Sequence, residues 1–313
     1  MNKHLYTYFK WLLAVLAYAF LLYKLITFDK YAELVTQWQL IGNERYVWLL
    51  MLVALLPFNL LIEAWKWQLL TRKTENISLK VSFKAVLVGI STGFFTPNRI
   101  GEPVGRMLFL QPENRRKGLA MGFVGSLTQN LTVLLFGIPA FVLFLSIKDN
   151  TLNNNYLPYL TLTAISLIVL LVFYFYLPTI SRKTENSARF SKLKKYLASL
   201  KNFTTVDLFA ILCVSALRFL VFCLQFYMMM QFWGINLSLI HSFTGICTNY
   251  LFITFTPAFS FSEAAVRGSF AVLVFSVFSP QIANIAFCGI SIWLINTVLP
   301  VMVGNIFLLK NKK

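Results

Sequence analysis

The chain has 313 residues, of which 58% are hydrophobic and only 12% are charged, and its formal net charge is +17. A soluble domain carries about twice that charged fraction, so the composition excludes an ordinary soluble fold. It also argues against nucleic-acid binding, because the basic residues cluster in short loops between apolar blocks, where they set membrane orientation and contact anionic headgroups. The four cysteines lie in apolar stretches without metal-ligand spacing, and we predict no metal and no cofactor.

Six apolar blocks are each long enough to cross a hydrocarbon core of about 30 Å as a helix. They lie at about 10–28, 46–70, 118–147, 156–180, 206–233 and 281–309. The first block lacks a small-residue cleavage site, which favours an uncleaved span over a signal peptide. The sequence therefore predicts an all-α polytopic membrane protein with about six full transmembrane helices.

Shorter apolar segments come in two pairs, 78–95 with 102–111 and 238–255 with 262–279. As a helix, the segment from Glu102 to Gln111 would be only ~15 Å long, about half the hydrocarbon thickness. We predict that each pair forms a re-entrant helical hairpin whose tip is surrounded by protein or by a wet cavity. The two turns supply the predicted tip residues: Thr96, Pro97 and Gly101 in the first hairpin, Thr256 and Pro257 in the second.

The distribution of basic residues predicts the orientation. Six spans and two hairpins place nineteen lysines and arginines on the side of both termini and four on the opposite side. The positive-inside rule then puts both termini in the cytoplasm, and we predict a multi-pass protein of the bacterial inner (plasma) membrane. The most basic segment, 181–205, is either an interfacial cytoplasmic helix or a solvated loop.

An internal repeat divides the chain. Residues 76–83 match 236–243 at an offset of 160, and the same offset aligns Phe95-Thr96-Pro97 with Phe255-Thr256-Pro257. One inserted residue later, a Glu-x-x-x-Arg motif follows in both halves, Glu102 with Arg106 and Glu263 with Arg267. Chance matches of apolar residues do not produce these two motifs in one register.

The repeat gives the chain four segments. They are a first span with its outer loop (1–45), repeat 1 (46–147), a linking span with the basic loop (148–205) and repeat 2 (206–313). In the predicted topology the first repeat enters the membrane at Tyr46 from outside and the second enters at Val206 from inside. The halves are therefore predicted to be inverted-topology repeats, as in many secondary transporters.

The charged motif residues are predicted to lie near membrane depth, where an unpaired charge is costly. One interpretation of these charges is structural: they form an ion pair within each hairpin helix, or a pair between the two hairpins. The other is a binding site, because helix N-termini and arginines that converge at the tips suit a phosphate-like anion on an amphiphile. The candidate substrate-binding residues are Asn98, Arg99, Glu102, Arg106, Glu263 and Arg267.

Other polar residues fall inside the predicted spans. Glu63 and Lys66 lie three apart on one span, and Arg218 lies on another. Two predictions remain possible for Arg218: it contacts Glu63, or its side chain snorkels to the membrane face. The amides in the spans are candidates for cavity-lining or interhelical groups: Gln129, Asn130, Asn249 and Asn296.

Residues 95–106, with the sequence FTPNRIGEPVGR, resemble the first-half signature of the lysylphosphatidylglycerol synthase transmembrane region family, also called the flippase-like domain family. The segment from Pro257 to Glu263 resembles its second-half Pro…Glu element. The resemblance extends from about residue 8 to 309. Members usually have glycines just before the second Glu, whereas this chain has Ser260-Phe261-Ser262.

The resemblance implies a membrane domain that handles lipids with charged headgroups and, in some members, moves aminoacylated phosphatidylglycerol between leaflets. The expected partners are anionic or aminoacylated phospholipids or polyprenyl-linked lipids, together with a lipid-modifying enzyme. We expect a stand-alone, non-enzymatic member, since the chain lacks the soluble aminoacyl-transferase domain of the full-length synthases. The alternatives are an intramembrane enzyme on phospholipid or prenyl-phosphate substrates and an accessory scaffold.

Overall fold

The computed structural model describes residues 31–96, 99–149, 156–185, 200–257 and 260–310, and within these ranges all regular elements are helices. The α-helices are α1 (Tyr31–Gln39), α2 (Tyr46–Thr71), α3 (Leu79–Phe94), α4 (Glu102–Met107), α5 (Arg115–Asp149), α6 (Tyr156–Glu185), α7 (Thr205–Phe232), α8 (Leu239–Phe255), α9 (Ser260–Phe275), α10 (Ile282–Trp293) and α11 (Leu299–Lys310). A π-helical segment, Leu294–Val298, joins α10 and α11 into one rod.

Five helical rods are long and apolar enough to cross a membrane: α2, α5, α6, α7 and α10–α11. They coincide with five of the six predicted spans, so the chain is a multi-pass helical membrane protein. The sixth predicted span, 10–28, lies outside the described residues. Most of the basic segment 181–205, predicted to be an interfacial helix or a solvated loop, does too, because the structure describes only its ends, where α6 continues to Glu185 and a 3-10 turn spans Leu200–Asn202.

The shorter helices pair as predicted, α3 with α4 and α8 with α9. Helix α4 ends at Met107, four residues before the predicted end of its segment at residue 111. After Met107, residues 108–110 continue in tighter i→i−3 turns. Gln111 is extended with φ −58° and ψ 146°, as suits the residue before Pro112. The re-entrant course of both pairs stays a prediction.

Glycines allow α3 and α4 to pack closely. A Cβ atom on Gly105 would come within 2.8 Å of the Gly89 Cα atom and of the Val88 carbonyl oxygen. Only a residue without a side chain fits that crossing. The close approach holds the first tip against the body of α3.

The central packing is between α2 and α7, which run antiparallel. At one end Arg72 and Lys73, just beyond α2, bond to Asp207 in the first turn of α7, and the Lys73–Asp207 distance is 3.3 Å. Asp207 also forms a capping box with Thr204, which satisfies the free N–H groups at this helix start. The ion pairs therefore join the end of one rod to the start of the other.

Around this central pair, helices of one half of the chain pack against helices of the other half. Helix α3 packs against α11, and α8 packs against α5. In the predicted duplication α3 corresponds to α8, and α5 corresponds to the α10–α11 rod. A pseudo-twofold axis between the halves would give this reciprocal packing; the division into repeats itself stays a prediction from the sequence.

Candidate functional site

A cavity of about 450 Å³ lies among α2, α5, α7, the α10–α11 rod and the two hairpins. Arg218 lines it from the middle of α7, and Asn296 lines it from the middle of the α10–α11 rod. Leu56 and Asn59 line it from the middle of α2. The cavity therefore lies halfway along the spans, at the depth where a bilayer is most apolar.

The cavity wall carries eight charged side chains. Of the 28 lysines and arginines in the chain, 23 belong to segments that the predicted topology puts at the membrane faces. The remaining five all line the cavity: Lys66, Arg99, Arg106, Arg218 and Arg267. Three carboxylates line it with them: Glu63, Glu102 and Glu263. The wall thus has two more cations than anions.

Glu63 on α2 is the centre of one charged cluster. Its Oε1 atom lies 2.6 Å from Arg106 of α4, and its Oε2 atom lies 2.7 Å from both Lys66 of α2 and Arg218 of α7. The Glu63 side chain is only 2% exposed, and that of Arg106 only 5%. A buried carboxylate that contacts three cations is fully compensated. This cluster joins α2, α4 and α7.

Further contacts hold the cations of this cluster in place. Arg106 also bonds to Glu102, one turn earlier on α4, at 2.9 Å, and its guanidinium lies 5.8 Å from the centre of the Trp67 ring. Lys66 donates to the side-chain oxygen of Gln129 at 3.1 Å. Because these partners lie on three helices, the first-half cluster is a rigid part of the wall.

Glu263 on α9 is the centre of the second cluster. Its Oε1 atom accepts from Arg267, one turn later on α9, and from Arg99 of the first tip, each at 2.8 Å. Arg99 also donates to the Thr297 hydroxyl in the π-helical segment at 2.8 Å. The first tip is therefore tied to the second hairpin and to the α10–α11 rod.

The backbone of the first tip is held in an unusual conformation. Arg99 has φ 57°, in the left-handed region that favours glycine. The Thr96 hydroxyl accepts from the Gly101 N–H at 2.8 Å, and the Thr92 hydroxyl donates to the Gly101 carbonyl at 2.9 Å. These bonds close the turn and aim the Arg99 side chain at Glu263.

The second tip starts in extended backbone. Thr256 has φ −90° and ψ 122°, which suits a residue before a proline, here Pro257. Its N–H donates to the Phe252 carbonyl at 3.1 Å and caps α8. Thr256 itself lines the cavity.

Uncharged polar groups complete the wall. Ser126 and Asn130 line the cavity from one face of α5 and are exposed at mid-span. Phe123 and Leu127, on the same face, are also exposed. Both amide atoms of Asn296 are buried and have no hydrogen-bond partner within the described residues. Such groups need a water or a ligand.

Over residues 11–304 the chain matches the family described as "Lysylphosphatidylglycerol synthase TM region". The chain belongs to this family. Comparisons with curated protein sequences and with solved structures give no match. For this lysylphosphatidylglycerol synthase TM-region protein, the family ties the membrane fold to lipids, and the cavity supplies the candidate site.

In this family member, seven of the residues predicted for the tips and the site line the cavity: Thr96, Arg99, Glu102, Arg106, Thr256, Glu263 and Arg267. Gly101 and Pro257 do not line the cavity, and Pro97 and Asn98 lie outside the described residues. Both predicted intrahelical ion pairs are present. A pair between the hairpins is present too, but Arg99 makes it rather than either motif arginine.

Three charged residues that were not among the predicted site residues also line the cavity: Glu63, Lys66 and Arg218. Arg218 contacts Glu63, so the structure favours contact over snorkelling, and Lys66 belongs to the same cluster. The signal was present: Lys66, Arg218 and the three arginines of the two hairpins are the five cations left after the loops are assigned. Of the four candidate amides, all but Asn249 line the cavity; Asn249 is buried beside it.

Proposed function

We propose that this protein moves membrane lipids with anionic headgroups between leaflets and binds the headgroup in the mid-depth cavity. The observation that carries the proposal is the excess of cationic side chains in the cavity wall at the middle of the spans. Holding two uncompensated charges at that depth is costly. A phosphate-bearing headgroup would neutralise them and accept charge-assisted hydrogen bonds.

The cations differ in how open they are to a ligand. Arg99, Arg267 and Arg218 have side chains that are 32%, 16% and 15% exposed. Lys66 and Arg106 are 1% and 5% exposed and are bound to Glu63. The first three are therefore the proposed headgroup ligands, and the other two hold the wall together.

The positive potential of this site comes mainly from the arginines and less from helix dipoles. Helix α4 has only six residues, and the acidic Glu102 occupies its first turn, so its dipole adds little positive potential. The longer α9 carries the second copy of the motif. The exposed aromatic and aliphatic residues on the α5 face, Phe123 and Leu127, suit the lipid tails beside the polar wall.

Family membership supports a lipid as the cargo. We further propose that the protein works in the plasma membrane of a bacterium with both termini in the cytoplasm, from the charge distribution of the loops. The depth of the site supports movement between leaflets over binding alone, because a headgroup at mid-depth is equally far from both faces.

Lipid scrambling in proteoliposomes tests the proposal. The purified protein is reconstituted with fluorescent phosphatidylglycerol, or with fluorescent phosphatidylcholine for comparison, and the outer-leaflet label is quenched chemically. We expect faster loss of the anionic label in the presence of the protein. Arg267→Gln should slow it about tenfold or more, because a hydrogen bond to a charged group contributes about 1.5–3 kcal/mol. The control is Arg45→Gln, at a half-exposed arginine away from the cavity.

The outcomes separate the alternatives. Equal rates for Arg267→Gln and the wild type would remove the cavity from the mechanism. Chemical conversion of the labelled lipid, seen by chromatography, would instead favour an intramembrane enzyme. Absence of scrambling by the folded wild-type protein would favour a scaffold.

A further inference from the structure

A second hollow lies on the outer surface of the helix bundle, away from the charged cavity. It has a volume of about 330 Å³. Its wall is formed by side chains of three helices: Pro57 and Leu61 of α2, Leu79 and Phe83 of α3, and Phe307 of α11. We call it the α2–α3–α11 groove.

The groove runs from one membrane face to the middle of the bundle. Helix α2 ends, α3 begins and α11 ends on the same face, with Thr71 and Leu79 joined by a short loop. At 1.5 Å per residue, Leu61 lies about 15 Å along α2 from Thr71, and Pro57 lies about 21 Å from it. One leaflet of a bilayer core is about 15 Å thick. The wall therefore extends from the first turns of α3, near this face, to the middle of α2, about the depth of one leaflet.

Two lysines lie at the end of the groove that is nearer to the membrane face. Lys80 and Lys84 lie one turn apart on α3, contribute their aliphatic stems to the wall, and are exposed. The Lys84 ammonium lies 5.9 Å from the centre of the Phe307 ring, which holds it at the rim. Neither lysine pairs with a carboxylate in the described part of the chain. Like charges at this spacing repel one another unless an anion joins them.

The other half of the chain supplies a comparison. At the offset of 160, Leu79 and Phe83 correspond to Leu239 and Phe243, so the apolar positions are kept. Lys80 corresponds to Ile240, and Lys84 corresponds to Thr244. The lysines therefore occur on only one of the two equivalent helices, which the predicted topology puts at the cytoplasmic face.

We propose that the α2–α3–α11 groove binds one anionic phospholipid of this leaflet, with an acyl chain along Leu61 and Pro57 and the phosphate between Lys80 and Lys84. The lipid would be held at the protein surface and would be a different molecule from any cargo of the central cavity. The proposal rests on the shape, depth and charge of the groove and not on the proposed function.

Native mass spectrometry of the full-length protein, titrated with phosphatidylglycerol in detergent, tests the site. The variant Lys80→Ile/Lys84→Thr copies the residues of the other half. We expect it to bind one phosphatidylglycerol about 25-fold more weakly, because each lysine near an anionic surface contributes about a fivefold gain in binding. Phosphatidylcholine binding should not change. The matched control, Arg116→Ala/Lys117→Ala, removes two exposed charges at the same predicted face outside the groove and should bind as the wild type does.

A second variant tests the acyl chain. Leu61 is 42% exposed, so Leu61→Trp is compatible with folding and fills the groove while both lysines remain. We expect this variant also to lose one bound phosphatidylglycerol. Adding Arg267→Gln to Lys80→Ile/Lys84→Thr should remove a further bound lipid if the central cavity binds one as well. Wild-type binding by Lys80→Ile/Lys84→Thr, an equal loss in the matched control, or unchanged binding by Leu61→Trp would overturn the proposal.

Discussion

The two copies of the Glu-x-x-x-Arg motif have the same internal ion pair and different surroundings. In the first, Arg106 bonds to Glu102 and also to Glu63 of α2, and its side chain is 5% exposed. In the second, Arg267 bonds to Glu263, has no second carboxylate among the described residues, and is 16% exposed.

The neighbours outside the motif make this difference. Helix α2 supplies Glu63 to the first copy, whereas the second copy shares its carboxylate with Arg99 of the opposite tip. In the first copy, one motif arginine thus has two carboxylate partners. In the second copy, two arginines share one carboxylate. We infer that the first copy mainly stabilises the fold and that the second mainly meets the ligand.

Removing the charge of Glu63 should give the largest effect. Glu63→Gln leaves Lys66 and Arg218 without a carboxylate, and loss of one partner from a buried ion pair costs about 3–5 kcal/mol. Denaturant unfolding in detergent would measure the loss in the free energy of unfolding. Glu44→Gln, at a side chain that is 77% exposed, is the control and should change stability by less than about 0.5 kcal/mol. A similar small change for Glu63→Gln would contradict a structural role for the first cluster.

Exchanging the two motif arginines for methionine compares the copies directly. Arg106→Met removes one of the three cations that contact the buried Glu63 and also the nearest partner of Glu102, so it should lower the free energy of unfolding by about 2 kcal/mol more than Arg267→Met does. Arg267→Met should instead have the larger effect on lipid scrambling by protein that remains folded. Equal stability losses, measured under the same unfolding conditions, would mean that the copies are equivalent.

Backbone strain at the first tip gives the smallest expected effect. Arg99→Ala and Arg99→Gly both remove the bond to Glu263, but only glycine adopts φ 57° without a steric cost. We expect the glycine variant to be about 1 kcal/mol more stable than the alanine variant. If the alanine variant proves equally stable, the left-handed turn at the first tip is not a source of strain.

Much of the fold could be predicted because apolar blocks of this length have few alternatives to membrane-crossing helices. Five predicted spans agree with the structure to within a few residues at most ends. The end of α4 was predicted too late, since the apolar pattern runs on to residue 111 whereas the backbone changes to i→i−3 turns after Met107.

The site could be predicted in part. Arg106 and Arg267 are visible because a charged motif repeated in apolar sequence is improbable by chance. The contact between Glu63 and Arg218 joins residues 155 positions apart and depends on how α2 packs on α7, which periodicity does not reveal. The role of Arg99 depends on a left-handed turn at a residue type that rarely adopts one.

A structure of the protein in nanodiscs that contain phosphatidylglycerol would show directly whether the mid-depth cavity binds a lipid headgroup. We predict a lipid phosphate in the mid-depth cavity, with its oxygens about 2.7–2.9 Å from a guanidinium nitrogen of Arg267 or Arg99. A cavity that holds only water, with all lipid phosphates at the two membrane faces, would contradict it.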